Sequence, residues 1–263
     1  MANKTKRYDL KAADRRRNRL IQAGLTLVVV IFAVGMVLLI VKPWEHNSSI
    51  GQAVTVSAPD KLVKDQSGKP KVVLSMYEDF LCPHCGSFEK TMGPTVRQLI
   101  GTGAVQADYY MVSLVDRGPN GYSTRAANAA YCVAEADTSP NKEAFQRFHD
   151  ALFKEQPTEG ASSYPSNKDL IEKARLSGLA SESLSKCINN GKYTKQAEGM
   201  LEATGIHATP TIRINGQDFP FEDTTTPQQL VDAVTKITGP VPGLTAVPPA
   251  PPAPAPAPAP ASP

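Results

Sequence analysis

Residues 72–86 read V-V-L-S-M-Y-E-D-F-L-C-P-H-C-G. The first six, Val72–Tyr77, begin apolar and β-branched and read as a buried strand. A short loop then delivers Cys82 and Cys85. The stretch that follows, Gly86–Ile100, carries Phe88, Met92, Val96 and Leu99 near helical spacing. A strand that runs into C-P-H-C, with a helix starting there, places Cys82 at a helix N-terminus. Unpaired N–H groups and the helix dipole favour a thiolate at that point. Pro83 suits the first turn, because its missing N–H costs nothing there. Cys85 falls about one turn later, within reach of Cys82 and more buried. A helix terminus supplies at most about 2 kcal/mol. A strongly acidic Cys82 therefore needs N–H donors and His84 as well; the bland alternative for His84 is a solvated first-turn residue. Pro94 is expected to kink or reset the helix.

The chain has four cysteines, Cys82, Cys85, Cys132 and Cys187, among 263 residues. That is too few for a small disulfide-stapled scaffold, so each is read individually. Tetrahedral zinc needs four ligands, usually as two close pairs. Neither Cys132 nor Cys187 has a cysteine or histidine three or four residues away, so no metal site is expected. Haem attachment needs C-x-x-C-H, and position 86 is Gly. At 41% hydrophobic and 20% charged the chain can bury a core, which excludes full disorder.

The net charge of +3 hides an asymmetry. The first 19 residues hold eight basic side chains (Lys4, Lys6, Arg7, Lys11, Arg15, Arg16, Arg17, Arg19) and two acids, and the rest of the chain nets −3. With that basic segment set aside, nothing points to a nucleic-acid binder. Leu20 to Val41 is a run of 22 residues without a charge. At 1.5 Å per residue it spans roughly 33 Å, enough for a bilayer core. It is longer than a signal-peptide core and exits into Val41-Lys42-Pro43-Trp44, which offers no good cleavage site. An uncleaved anchor is expected at 20–41, with 1–19 in the cytoplasm by the positive-inside rule. Trp44 suits the outer interface, and everything beyond lies outside the cytoplasm, where disulfides persist. Residues 42–52 read as a linker.

Beyond the linker, Ala53–Ser57 alternates as a short strand. Pro59–Pro70 is mostly loop, with a brief strand around Leu62. Ala104–Ser113 is the next strand. Residues from about 119 to 205 look helical throughout: Tyr122–Ala136, Lys142–Phe153 (Phe145, Phe148 and Leu152 on one face), Lys168–Ser177, Glu182–Ile188 and Lys192–Thr204. Thr211–Ile214 and Gln217–Phe219 form a hairpin around Asn215-Gly216. Thr226–Ile237 is a last helix with Thr226 as cap and Pro227 at its first position. From Gly239 to Pro263, 11 of 25 residues are proline, so 239–263 is expected as an extended, disordered Pro/Ala-rich tail and surface spacer, with a docking or wall-associated role as the alternative. The pattern predicts an α/β domain over 53–238, a mixed sheet interrupted by a helical lobe at about 119–205.

The run Y-E-D-F-L-C-P-H-C-G, with T-P and then T-I-R-I-N-G further on, resembles the DsbA-like thiol–disulfide oxidoreductases of the thioredoxin superfamily. The basic N-terminus, single anchor, second cysteine pair and helical insertion resemble the membrane-anchored DsbA-like proteins of actinobacteria. The resemblance covers roughly residues 50–240 and implies a thioredoxin-like fold with an inserted helical lobe, preceded by one transmembrane helix. It implies Cys82 as nucleophile, Cys85 as resolving thiol, with Pro83 and His84 between them, and Thr209-Pro210 as the cis-proline loop that pairs with substrate. An ordinary trans proline opening a strand is the plain alternative there. It implies no cofactor beyond a redox-active Cys82–Cys85 disulfide. The implied partners are secreted or cell-envelope proteins with free thiols, and a membrane quinone-linked oxidase for reoxidation. The expected form is a monomer held in the lipid bilayer. The enterobacterial member carries an acid six positions before its nucleophile, where this chain has Met76, and valine before the cis-proline, where this chain has Thr209.

The expected activity is disulfide introduction into secreted proteins. An isomerase or reductase on the same fold, or a non-enzymatic module tethered to the envelope, are the alternatives. Residues 42–70 are too short for the separate dimerisation domain that isomerases of the superfamily usually carry. Cys132, between Tyr131 and Val133, and Cys187, followed by Ile188, lie in the helical block and read as a structural disulfide, with two free buried thiols as the alternative. Glu78 and Asp79 read as a solvated loop pair, or else as proton carriers near Cys85. Phe80, Tyr109 and Tyr110 read as core or cleft wall, and His149 and His207 as structural, with a substrate contact as the alternative for His207 beside the Thr209-Pro210 loop.

Overall fold

The computed structural model describes residues 50–222 and 224–244. These belong to one compact unit, Ser49–Pro263. The anchor expected at 20–41, the basic segment before it, most of the linker and the tail from 245 onward lie outside the described residues. Among the described residues no helix is long and apolar enough to cross a membrane.

The centre of the fold is a sheet of five strands in the order β1-β3-β2-β4-β5. They are β1 (Val54–Val56), β2 (Val73–Glu78), β3 (Gln106–Met111), β4 (Thr211–Ile214) and β5 (Gln217–Asp218). β2 lies in the middle, parallel to β3 and antiparallel to β4. A strand covered on both faces reads as a near-continuous apolar run, and Leu74, Met76 and Tyr77 are all buried. Each such side chain contributes about 1.5–3 kcal/mol by leaving water. β3 has one inward face, Ala107, Tyr109 and Met111. The expected strand around Leu62 is only an isolated bridge between Lys64 and Pro70, because the loop is split by Ser67-Gly68 into a tight turn.

Parallel β2 and β3 need a crossover, which is α1 (Pro83–Gly101). It buries Cys85, Phe88, Met92, Val96 and Leu99 along one face. Pro94, where a kink or reset was expected, lies inside α1, which continues past it to Gly101. A proline ring clashes with the Cβ of the residue before it, and that residue is Gly93.

Between β3 and β4 the chain leaves the sheet to build the helical lobe: α2 (Tyr122–Ala136), α3 (Glu143–Lys154), α4 (Asn167–Leu176), α5 (Glu182–Asn189) and α6 (Thr194–Thr204). α2 is its hub. Its alanines are almost all buried, and small side chains let neighbouring helices approach closely. Asn128 of α2 donates to the Ile188 carbonyl (3.1 Å) and accepts from the Tyr193 N–H (2.7 Å), tying α5 and the start of α6 to the hub. The last helix, α7 (Pro227–Thr238), starts at Thr226 with a reciprocal capping box to Gln229. Packing continues past it, with Val241 buried against the core.

Candidate active site

The carboxyl end of β2 and the start of α1 meet in the turn 79–82. Cys82 is the N-cap of α1, in extended conformation (φ −70°, ψ 120°), with Pro83 first in the helix. Asp79 builds this turn. Its carboxylate accepts from Leu81 N–H (2.8 Å), and from Leu114 N–H (2.7 Å) and Val115 N–H (2.8 Å) in the loop after β3. A carboxylate answered by three N–H groups is tolerated in the interior. Asp79 and Glu78 are both buried, which corrects the expectation of a solvated loop pair. Asp79 is structural, and Glu78 is the last residue of β2, not loop.

Cys82 and Cys85 are both free thiols, Cys82 6% exposed and Cys85 fully buried. The Thr209–Pro210 bond is cis. As a thiol, Cys82 Sγ donates to the Thr209 carbonyl at 3.4 Å. The Asp79 N–H donates to Cys85 Sγ at 3.5 Å. The two sulfurs are driven in opposite directions. The Cys85 thiol hydrogen-bonds to Cys82 and, against the opposing effect of burial, lowers it to about 6; Thr209 and the backbone N–H groups of Cys85 and His84 add to the effect. Burial pushes Cys85 well above the ordinary thiol value, and the Cys82 hydrogen bond and the nearby Glu78 charge push the same way.

His84 is exposed and lines a groove of about 350 Å³ with Thr209, Pro210, Phe221 and Glu222. Thus Cys82, Pro83, His84, Cys85, Thr209 and Pro210 converge on one end of the sheet. Phe221 and Glu222 escaped the sequence reading. Phe221 is fixed by an edge-to-face contact with Phe88 of α1, ring centroids 5.1 Å apart. The only local signal was an apolar F-P-F run shortly before the Thr226 cap. His207 is exposed.

Behind Cys85 lies a second polar group. His149 Nε2 of α3 meets Glu78 Oε2 at 3.1 Å, with both side chains 2% exposed. The imidazole is wedged among Phe80, Tyr109 and Phe153, centroids 5.5, 4.9 and 5.0 Å away. Burial opposes a charge on His149, but hydrogen bonds to Asp150 and Glu78, together with the Glu89 and Glu78 charges, raise it to about 10. Burial, then the Glu78 charge, raises Glu89 to about 8. One donor atom from each of Glu78, Glu89 and His149 lies within 4.8 Å of the others, close enough to hold a metal ion. The surrounding acids favour a protonated imidazole over the neutral form that binds a metal. Met76, two residues before Glu78, faces the same side of β2, so this strand puts an acid one step nearer the loop than the enterobacterial pattern does.

Cys132 and Cys187 form a disulfide between α2 and α5, with Cα atoms 5.9 Å apart. It belongs to the lobe, not to the groove.

The sequence model of the family described as Thioredoxin matches residues 67–236. The reduced form of a disulfide bond oxidoreductase (DsbG) from Mycobacterium tuberculosis is 47% identical, with a TM-score of 0.68, covering 74% of this chain and 91% of that one. Reduced DsbA from M. tuberculosis is 46% identical with a TM-score of 0.67, covering 74% and 96%. Among curated proteins the chain is 26% identical over 153 residues to the serine/threonine-protein kinase PknE of M. tuberculosis, 56% of this chain. It spans only about a quarter (26%) of that relative's length.

Proposed function

The chain belongs to the Thioredoxin family, as a thiol–disulfide oxidoreductase of DsbA type, and on that premise we propose that it introduces disulfides into exported proteins through Cys82 and Cys85. The observation that carries this reading is the opposite displacement of the two thiols, Cys82 down to about 6 and Cys85 well above the ordinary value. A substrate thiolate attacks the Cys82–Cys85 disulfide at Cys82. The S–S bond breaks, and its electron pair leaves on Cys85, which takes up a proton because its thiolate is strongly disfavoured. A second substrate thiolate then attacks the substrate sulfur of the mixed disulfide and expels Cys82 as a stable thiolate. The substrate loses two electrons and two protons, and the enzyme gains the electrons. A good leaving thiolate makes the second step fast and stabilises the reduced enzyme, which is what an oxidant of dithiols requires.

In this reading the backbone at Thr209 holds an extended substrate segment beside Cys82. His84, Pro210 and Phe221 form the wall against which the segment lies. The enzyme needs no cofactor beyond its own disulfide. The uncharged run at 20–41 anchors a monomer in the lipid bilayer with the catalytic unit outside. A membrane quinone-linked oxidase returns Cys82 and Cys85 to the disulfide.

Oxidation of a dithiol peptide tests the exchange. Cys82→Ser should abolish it, and Cys85→Ser should accumulate a Cys82-linked mixed disulfide; full turnover in the Cys82→Ser protein would remove the mechanism. In intact cells an impermeant alkylating reagent should reach Cys82. Labelling only after lysis would remove the outward placement.

A further inference from the structure

Gln156 reaches the catalytic turn from outside the thioredoxin sheet. It sits in the helical lobe, two residues past the end of α3, and its side chain crosses to the segment before α1. Its Nε2 donates to the Cys82 carbonyl at 2.9 Å and to the Phe80 carbonyl at 3.2 Å. The other end of the amide lies over Gly86. A Cβ built on Gly86 would stand 2.2 Å from Gln156 Oε1. Gly86 is not among the glycines with positive φ, so its backbone does not call for glycine. A Cβ there would instead have to push aside the Gln156 amide, which its two hydrogen bonds hold in place. The hydrogen bonds and the bare Cα are separate signs of one close approach.

We propose that Gln156 is a positioning residue for thiol–disulfide exchange, clamping the peptide carbonyls on either side of Leu81 so that Cys82 Sγ stays aligned with the first turn of α1. The inference rests on Cys82 being the reacting thiol. Its physical basis is the shortage of other handles on this turn. Pro83 has no N–H, so the peptide that follows Cys82 can be held only through its carbonyl. That carbonyl already accepts the Gly86 N–H at 3.1 Å, the first bond of the helix, and Gln156 adds the second. Asp79 grips the same turn by the Leu81 N–H. One side of the turn is thereby fixed to the β3–α2 loop and the other to the lobe. A turn free to rock would swing Sγ away from the Cys85 thiol and from the N–H groups of residues 84 and 85. The lobe thus takes part in setting the sulfur's behaviour.

Gln156→Met keeps the length of the side chain and removes the donor. Loss of a neutral hydrogen-bond pair changes an equilibrium by about 3- to 10-fold. The titration midpoint of the Cys82 thiolate should rise, and the glutathione equilibrium of the full chain should shift by about 3- to 10-fold toward the oxidised protein. The thermal midpoint of the oxidised form should move little. If the Met variant does not fold, Gln156→Glu is read instead; its carboxylate cannot donate and should shift both quantities the same way. Gly86→Ala supplies an independent reading. It should harm the wild type, and harm it less in a Gln156→Ala background, where the opposing oxygen is gone. Wild-type titration and glutathione equilibrium in the folded Gln156 variant would overturn the proposal, as would an additive Gly86/Gln156 double cycle. Retained turnover in Cys82→Ser would instead strike the exchange mechanism.

Discussion

Cys82 and Cys85 share the first turn of α1, whereas Cys132 and Cys187 stand 55 residues apart and join α2 to α5. The first pair sits where backbone ends: the carboxyl edge of a strand, unpaired helix N–H groups, the carbonyl of Thr209. Each of these acts differently on a thiol and on a thiolate, so the pair responds to protonation and to exchange. The second pair sits between helix flanks already packed on the hub helix and tied by Asn128. Its surroundings treat it as a cross-link. A cysteine's role therefore follows from whether its neighbours distinguish its charge states.

The contrast can be pressed first at the polar group behind Cys85. Replacing Glu78 by Gln leaves the His149 charge buried beside a neutral partner. Removing one member of a buried ion pair costs about 3–5 kcal/mol, and denaturant unfolding of the oxidised protein should show a loss at the lower end, since Glu89 remains nearby. The pH dependence supplies a second mark. His149 is raised from 6.5 to about 10 on folding. A raised group adds stability fully below its unfolded value and loses it as pH rises through the folded one. Wild-type stability should thus decline as the pH climbs from 6.5 through 10, and the Gln variant should show less of that decline, part of it persisting because Asp150 and Glu89 still favour the charged ring.

Removing the second pair should do something of a different kind. Closing its loop is worth about 4 kcal/mol in the chain-entropy model, so the Cys132→Ser/Cys187→Ser double variant should unfold about 2–4 kcal/mol more easily. Its dithiol oxidation at moderate temperature should persist. Lost activity in a folded double variant would erase the distinction between the pairs.

A third effect separates them by titration. Cys82 falls from 9.0 to about 6 in the folded reduced protein. A depressed group adds stability above its unfolded value and loses it as pH falls through the folded one. The reduced protein should therefore lose stability relative to the oxidised protein as the pH drops from 9 through 6. Alkylation of Cys82 should follow the same midpoint. The Cys132–Cys187 disulfide contributes nothing to either curve.

Much of this arrangement was legible along the chain. The β2 pattern, the N-cap position of Cys82 and the Thr226 cap are local, and local periodicity reports them. The helices of the lobe were found because phenylalanines, leucines and alanines recur at helical spacing. Glu78 and Asp79 misled because charge predicts exposure unless partners are known. Those partners, His149 and the N–H groups of Leu114 and Val115, lie 35 to 71 residues away.

By itself the sequence determined the order of elements, the cysteine spacing and the proline that starts α1, since covalent order and side-chain period are fixed before folding. Only the tertiary structure decided which carbonyl meets Cys82 from 127 residues away, that a histidine pairs with Glu78 in the dark of the core, and that Gln156 lies across Gly86. Those contacts exist because packing brings remote segments into hydrogen-bonding range, where the loss of water makes each polar group require a partner.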